Sequence, residues 1–284
     1  MLDSKNAEAC FRMGISAKPP NEIMALFDSA TLAGLVESFL LAARHPQMKT
    51  FRREMRGSAR AGIQLWKSLL DAWDEVSTID NLFEQKTFEF RKIKSASWND
   101  DTLEWNLFEQ RFLNGLRNGG FTSDFSHGVL KAFHEMAENV VQHGAFGLSM
   151  CEGLAGYHVE PGRFAFSIGD FGCGYLRSLQ ESDSWKHLEK GRDALSAVIH
   201  EGASRRTGQG EGEGFKELWK ALSDHGANVR IRSNDTVARI LPTHLGREAE
   251  IATFLKASGS HISVCCCLGE PTSENKLRFS LQNH

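Results

Sequence analysis

No stretch of this sequence approaches the ~20 consecutive apolar residues that a membrane-crossing helix requires. The opening residues, Met1-Leu2-Asp3-Ser4-Lys5, also lack the apolar core of a secretory signal. A cytoplasmic protein without a membrane partner is the expectation. An excess of charge of one sign is missing as well: 33 Lys and Arg face 36 Asp and Glu, for a net charge of −3. Bulk attraction to nucleic acid therefore has no basis, and nucleic acid is not the expected partner. The six cysteines, Cys10, Cys151, Cys173, Cys265, Cys266 and Cys267, contain no Cys-x-x-Cys pair. Three consecutive cysteines on a strand would point alternately to opposite faces, which suits reduced, mostly buried thiols better than a zinc site. Neither a fixed-period repeat nor a low-complexity tract occurs. What remains is a chain of 284 residues, 41% of them apolar, enough to bury a real core.

Residues 1–82 read as helical, with no strand signal. Pro19-Pro20 ends a short leader, and Leu32, Leu35, Val36, Phe39, Leu40 and Leu41 then fall at helical spacing. A second helical pattern runs through Ile63, Leu65, Trp66, Leu69, Leu70 and Trp73. Between them, Lys49 to Arg56 is basic but interrupted by Glu54, which suits a solvated helix face. This block is expected to be an appendage for sensing, dimerisation or partner binding.

From residue 83 to about 272 the pattern changes. Lys86 to Ile93 alternates as a half-buried strand does. Helices are expected at 101–117 and 123–143, separated by Gly119-Gly120. Strands at 156–159 and 163–169 are hinged at Pro161-Gly162. Helical patterns cover 176–190, 193–201 and 215–222, and further strands are expected at 229–233 and 261–265. Residues 273–284 read as a polar tail. The fold class is thus an α/β sandwich: a mixed, largely antiparallel sheet with helices on one face, preceded by helices.

Three stretches carry chemistry. In Phe133 to Gly144, the residues Glu135, Asn139 and His143 recur every fourth position, so a helix stacks them along one stripe. Phe133, Met136, Ala137, Val140 and Val141 occupy the adjacent apolar face. A carboxylate, an amide oxygen and an imidazole in a row can hold a water, a hard cation and a phosphate. Asp170-Phe171-Gly172-Cys173-Gly174 follows a strand, and Gly208, Gly210, Gly212 and Gly214 alternate just ahead of a helix. Such a glycine loop backed by a helix N-terminus can wrap phosphates with its amides. It is not a Walker loop, because no Lys-Ser/Thr follows, nor a Rossmann loop, because no βαβ unit surrounds it.

Taken in order, Glu-x3-Asn-x3-His, Asp-x-Gly-x-Gly and the glycine loop resemble the N, G1 and G2 boxes of the GHKL (histidine-kinase-like ATPase) superfamily. The resemblance covers about residues 83 to 270, and its layout is similar to the anti-sigma-factor serine kinases. It implies a two-layer sandwich of the Bergerat type that binds ATP and magnesium (Mg2+). It makes Asn139 the magnesium ligand and gives Glu135 the position of general base, or else of a carboxylate that only hydrogen-bonds a nearby water. Asp170 would accept the adenine amino group, with Gly172 and Gly174 allowing close approach of the backbone. Gly208, Gly210, Gly212 and Gly214 would surround the phosphates; of the flanking Arg205 and Arg206, one, Arg205 for choice, could meet the γ-phosphate, or both could be solvated. His143 would touch a phosphate or cap its helix. Ser260, in Gly259-Ser260 where the family has Gly-Thr, would reach adenine through water. Glu211 and Glu213 inside the glycine loop depart from the family pattern.

The fate of the γ-phosphate stays open at this level. One reading is an ATPase whose hydrolysis switches conformation or partner binding in a regulatory role. A second is a serine or histidine kinase acting on a partner protein, because the N-terminal block has only His45-Pro46 to offer as an acceptor signature. A third is a non-catalytic, ATP-gated interaction module. The expected partner in each case is another protein or a second copy of the chain.

Overall fold

The computed structural model describes Leu32, Val36, Glu37, Leu69, Ala72, and residues 88–94, 102–143, 152–204, 213–222, 225–243, 246–253 and 258–268. In chain order the elements are β1 (Phe88–Lys94), α1 (Thr102–Asn118), α2 (Ser123–His143), β2 (Glu152–Glu160) and β3 (Arg163–Asp170). There follow α3 (Tyr175–Leu179), α4 (Gly191–Ser196) running into a π-helical turn (Ala197–Glu201), and α5 (Glu213–Leu222). Strands β4 (Gly226–Ser233), β5 (Thr236–Thr243), β6 (Gly246–Thr253) and β7 (Ser260–Cys267) complete the set.

The seven described strands form one open sheet in the order β1-β2-β3-β7-β4-β5-β6. All six pairings are antiparallel, so the parallel component expected from the sequence is absent among the described strands. Two of these strands, β5 and β6, were not expected. Pro242 falls within β5, and charged residues punctuate β6, which lies at the sheet edge where its outer hydrogen-bonding groups need no partner strand. The helix expected over 176–190 stops at Leu179. Ser182, Asp183 and Ser184 follow, residue types whose side chains compete for the backbone and favour turns.

Alternation along the strands sorts the two faces. Phe164, Phe166 and Ile168 of β3 align with Cys266, Val264 and Ile262 of β7, and the last two with Val229 and Ile231 of β4. All eight belong to the helix-side core. Its centre is aromatic: Phe112 of α1 stacks on Tyr157 with centroids 4.8 Å apart, and Phe133 of α2 meets Phe166 edge-on at 5.4 Å. Such pairs add to the burial of their apolar area, the dominant stabilising term. The three consecutive cysteines alternate as expected, with Cys266 in this core and Cys265 and Cys267 half-buried on the other side.

The opposite face is polar and yet buried. Ser167, Ser263 and Arg230 form one cross-strand row there, and His261 and Arg232 lie in the next. Glu37, only 1% exposed, sits on this face. Its Oε2 accepts from Arg230 Nε at 3.0 Å, and its Oε1 accepts from Arg230 Nη2 and from Arg232 Nη1, each at 2.9 Å. The two-layer expectation therefore changes, because part of the N-terminal block lies against the second face. The cause is the charge pattern of β4: two arginines turned inward on one face need a carboxylate, or their burial would be strongly unfavourable. No helix among the described residues is long and apolar enough to cross a membrane.

Candidate functional site

The Glu135/Asn139 helix is α2. Phe133, Met136, Ala137 and Val140 are buried against the sheet, Val141 is partly so, and Asn139 is exposed. The amphipathic division expected from the sequence is thus present. Glu135 is half-buried and lies 3.9 Å from Lys131, one turn earlier. His143 is the last residue of α2, and its side chain lies outside the described residues. His134 has a structural partner: its Nδ1 lies 2.7 Å from Glu109 Oε1, which also accepts from Trp105 Nε1 at 2.8 Å. Hydrogen bonding to Glu109 raises the His134 pKa against the opposing effect of partial burial.

Asp170 ends β3 on the helix side, 4% exposed. Oδ1 accepts from the amide of Gly172 at 2.6 Å. Oδ2 accepts from the hydroxyl of Ser260, the first residue of β7. Burial raises the Asp170 pKa above the ordinary carboxylate range, while the bonds from Ser260 and Gly172 oppose that rise. Each carboxylate oxygen has two acceptor positions, so a further donor can still be taken. Ser260 therefore touches Asp170 directly.

Opposite Asp170 in the sheet stands Gly153, and a Cβ there would lie 2.7 Å from Cγ1 of Val140. The missing side chain lets the second half of α2, with Asn139 beside Val140, close onto the strand ends where Asp170 lies.

The chain around Asp170 is held by a turn that motif spacing did not single out. Asn234, between β4 and β5, has φ 52. Its amide donates to the carbonyl of Gly259 at 3.1 Å, and its side-chain Nδ2 donates to the carbonyl of Cys173 at 3.0 Å. Ser233 Oγ accepts from the amide of Tyr175 at 2.8 Å. One turn thus fastens both segments that flank Asp170. Gly174, at φ 78, leaves the room this requires: a Cβ there would sit 2.4 Å from Asn234 Nδ2. The Ser233-Asn234-Asp235 run is a recognisable turn signal, but nothing in the sequence relates it to residues sixty positions earlier.

Of the glycine loop, Arg205, Gly208, Gly210 and Gly212 lie outside the described residues. Its flanks are described. The π-helical turn is capped by Gly202, and Gly214 is the second residue of α5. Phe215, Leu218, Trp219 and Leu222 form the buried stripe of α5, and Gly128 of α2 faces Ala221 there. The ring of Phe215 meets that of Tyr175 at a centroid distance of 6.5 Å. The residues immediately after Gly174 and Gly214 are therefore in contact, which brings the two glycine-bearing segments to one end of the sheet.

The arrangement offers a buried, oriented carboxylate at the sheet end. Short residues, Gly172 and Ser260, hold it, and α2, which meets the strand opposite it at Val140, carries an exposed amide at Asn139 and a half-buried carboxylate at Glu135. A planar group bearing an exocyclic amine suits the first, and a hydrated cation suits the second, because a magnesium ion keeps several waters and needs few protein ligands. No protein-family model matches the chain, and no curated protein matches it in sequence.

Proposed function

We propose that residues 83–272 bind ATP with magnesium in the manner of GHKL proteins, and that hydrolysis switches the conformation or partner binding of the chain. The observation that carries this reading is Asp170: a carboxylate at a strand end, buried on the helix side and oriented by Gly172 and Ser260. A buried carboxylate is unfavourable unless something is gained from it. Recognition of the amino group that distinguishes adenine from guanine is such a gain.

In this reading the adenine amine donates to Asp170, and Ser260 fixes the rotamer that receives it. Gly172 gives an amide to the same carboxylate, and Gly174 keeps the turn at Asn234 in place. Asn139 offers its amide oxygen to magnesium, which when bound neutralises phosphate charge. Glu135, on the same stripe, is placed to orient or deprotonate a water. Gly208, Gly210, Gly212 and Gly214 supply amides to the phosphates, with Arg205 and His143 as further contacts. The switch is favoured over a purely catalytic role by Glu37, a residue of the N-terminal block whose carboxylate is held on the sheet by Arg230 and Arg232 and which gives a nucleotide something to act on.

The test follows the γ-phosphate of labelled Mg-ATP with the pure protein and with Asn139→Ala. Release of phosphate that disappears in the variant supports the ATPase. Tight binding without release moves the assignment to a kinase awaiting its acceptor or to an ATP-gated module. Absence of Mg-ATP affinity below the millimolar range overturns nucleotide binding itself.

A further inference from the structure

Arg232 and Ser233 are consecutive in β4, and His261 and Ser260 are consecutive in β7. Alternation places each pair on opposite faces of the sheet. Ser233 and Ser260 pair across the strands and belong to the Asp170 site, through Tyr175 and Asp170 respectively. Arg232 and His261 pair in the adjacent row and belong to the buried cluster that receives Glu37. His261 Nε2 also lies 2.6 Å from the hydroxyl of Ser167. Two polar constellations thus share the same two strand ends, one peptide unit apart, on either side of the sheet.

We infer that the seating of Glu37 between Arg230 and Arg232 is linked to occupancy of the Asp170 site, so that a ligand on the helix side holds the N-terminal segment against the far side. The inference rests on the nucleotide reading for the identity of the ligand. Glu37 is a carboxylate shared by two guanidinium groups and shielded from water, so its attachment depends closely on where those groups lie. A ligand engaging Asp170 restrains Ser260, Ser233 and the ends of β3, β4 and β7. Restraining those ends lowers the entropy lost when Arg232 and His261 are held in the geometry Glu37 requires. The coupling is reciprocal by thermodynamic necessity: whatever the ligand does for the segment, the segment does for the ligand. Leu32 and Val36, buried and helical in the same segment, would share that fate.

The experiment measures amide hydrogen exchange at Leu32, Val36 and Glu37 in the full chain, with and without saturating Mg-ATP. Titration calorimetry then gives the Mg-ATP affinity of the wild type, Glu37→Gln and Glu89→Gln. Exchange is expected to slow about fivefold or more with nucleotide, and Glu37→Gln to weaken Mg-ATP binding by a matching factor. Glu89→Gln loses a buried partner of Arg111 at the β1 edge, far along the sheet order from β4 and β7, and is expected to keep the wild-type affinity. Binding with unchanged or faster exchange overturns the linkage and leaves the function standing. No Mg-ATP binding by the wild type overturns both. The wild-type exchange comparison decides the matter even where Glu37→Gln does not fold.

Discussion

Gly259 and Asp170 approach so closely that a Cβ on Gly259 would lie 2.0 Å from the carbonyl oxygen of Asp170. Gly259 also has φ +90, a conformation that side chains of ordinary handedness resist. Because the obstacle is backbone, no rotamer change relieves it. Gly259→Ala is therefore expected to destabilise the fold by about 2 kcal/mol or more, since the backbone conformation alone is unfavourable by about 1–2 kcal/mol. Urea unfolding measures this. A loss below about 0.5 kcal/mol, the range of ordinary surface substitutions, would mean that the loop before β7 does not pack on Asp170 as described.

Asp170→Asn keeps the side-chain shape but loses the charge and one acceptor. A hydrogen bond to a charged group contributes about 1.5–3 kcal/mol, so Mg-ATP affinity should fall roughly 10- to 150-fold. Removing a buried carboxylate leaves the unfolding midpoint unchanged or raises it. Calorimetric titration alongside thermal melting separates the two effects, and equal affinities for variant and wild type would remove Asp170 from the site.

Glu135→Gln and Asn139→Ala should fail differently. The first keeps nucleotide binding within about twofold and lowers phosphate release by about 100-fold or more, as loss of a general base does. The second removes the proposed metal ligand and is expected to lower magnesium-dependent binding as well. A Glu135→Gln protein that releases phosphate at the wild-type rate would show that this carboxylate is not the general base.

Acidification should lower the stability of the fold through the buried cluster around Glu37. Burial lowers the His261 pKa from 6.5 to about 4; the Glu37 charge opposes this shift, and Arg230 and Arg232 reinforce it. Between those values the unfolded chain binds a proton that the folded chain does not, so stability is fully present above pH 6.5 and declines as pH falls toward 4. Burial alone would raise the Glu37 pKa, but Arg230, His261 and Arg232 together hold it at about 2, below its ordinary 4.5. Its contribution is therefore present above pH 4.5 and is lost as pH falls toward 2. Urea unfolding at pH 7 and pH 5 should differ by about 1–2 kcal/mol more in the wild type than in His261→Gln. Identical differences would exclude His261 as a source of the pH dependence.

Local periodicity made part of this molecule legible. The apolar face of α2, the alternation of β3 and the Asp170 turn are short-range patterns, and each lies where the sequence places it. Strands β5 and β6 were hidden because a proline and several charges mask the alternation, and their pairing partners are what make them strands. The Asp170–Ser260 contact was half visible, since both residues carry motif meaning but nothing local sets their distance. Glu37 gave no signal at all. It meets Arg230 across 193 positions of sequence, and a lone glutamate on a helical pattern reads as solvated. Burial of two arginines on one sheet face could have flagged the need for an anion, but that burial is itself a tertiary fact.

The position of β7 has a consequence for how the chain is made. Strands β1 to β3 form one three-stranded group and β4 to β6 another, and the described strands join these groups through β7 alone. On a ribosome, every earlier strand emerges before this keystone does. Until Ser260–Cys267 leaves the exit tunnel, β3 and β4 each keep an unpaired inner edge bearing Phe166 and Ile231, and an arrested nascent chain is a candidate for chaperone capture at those edges.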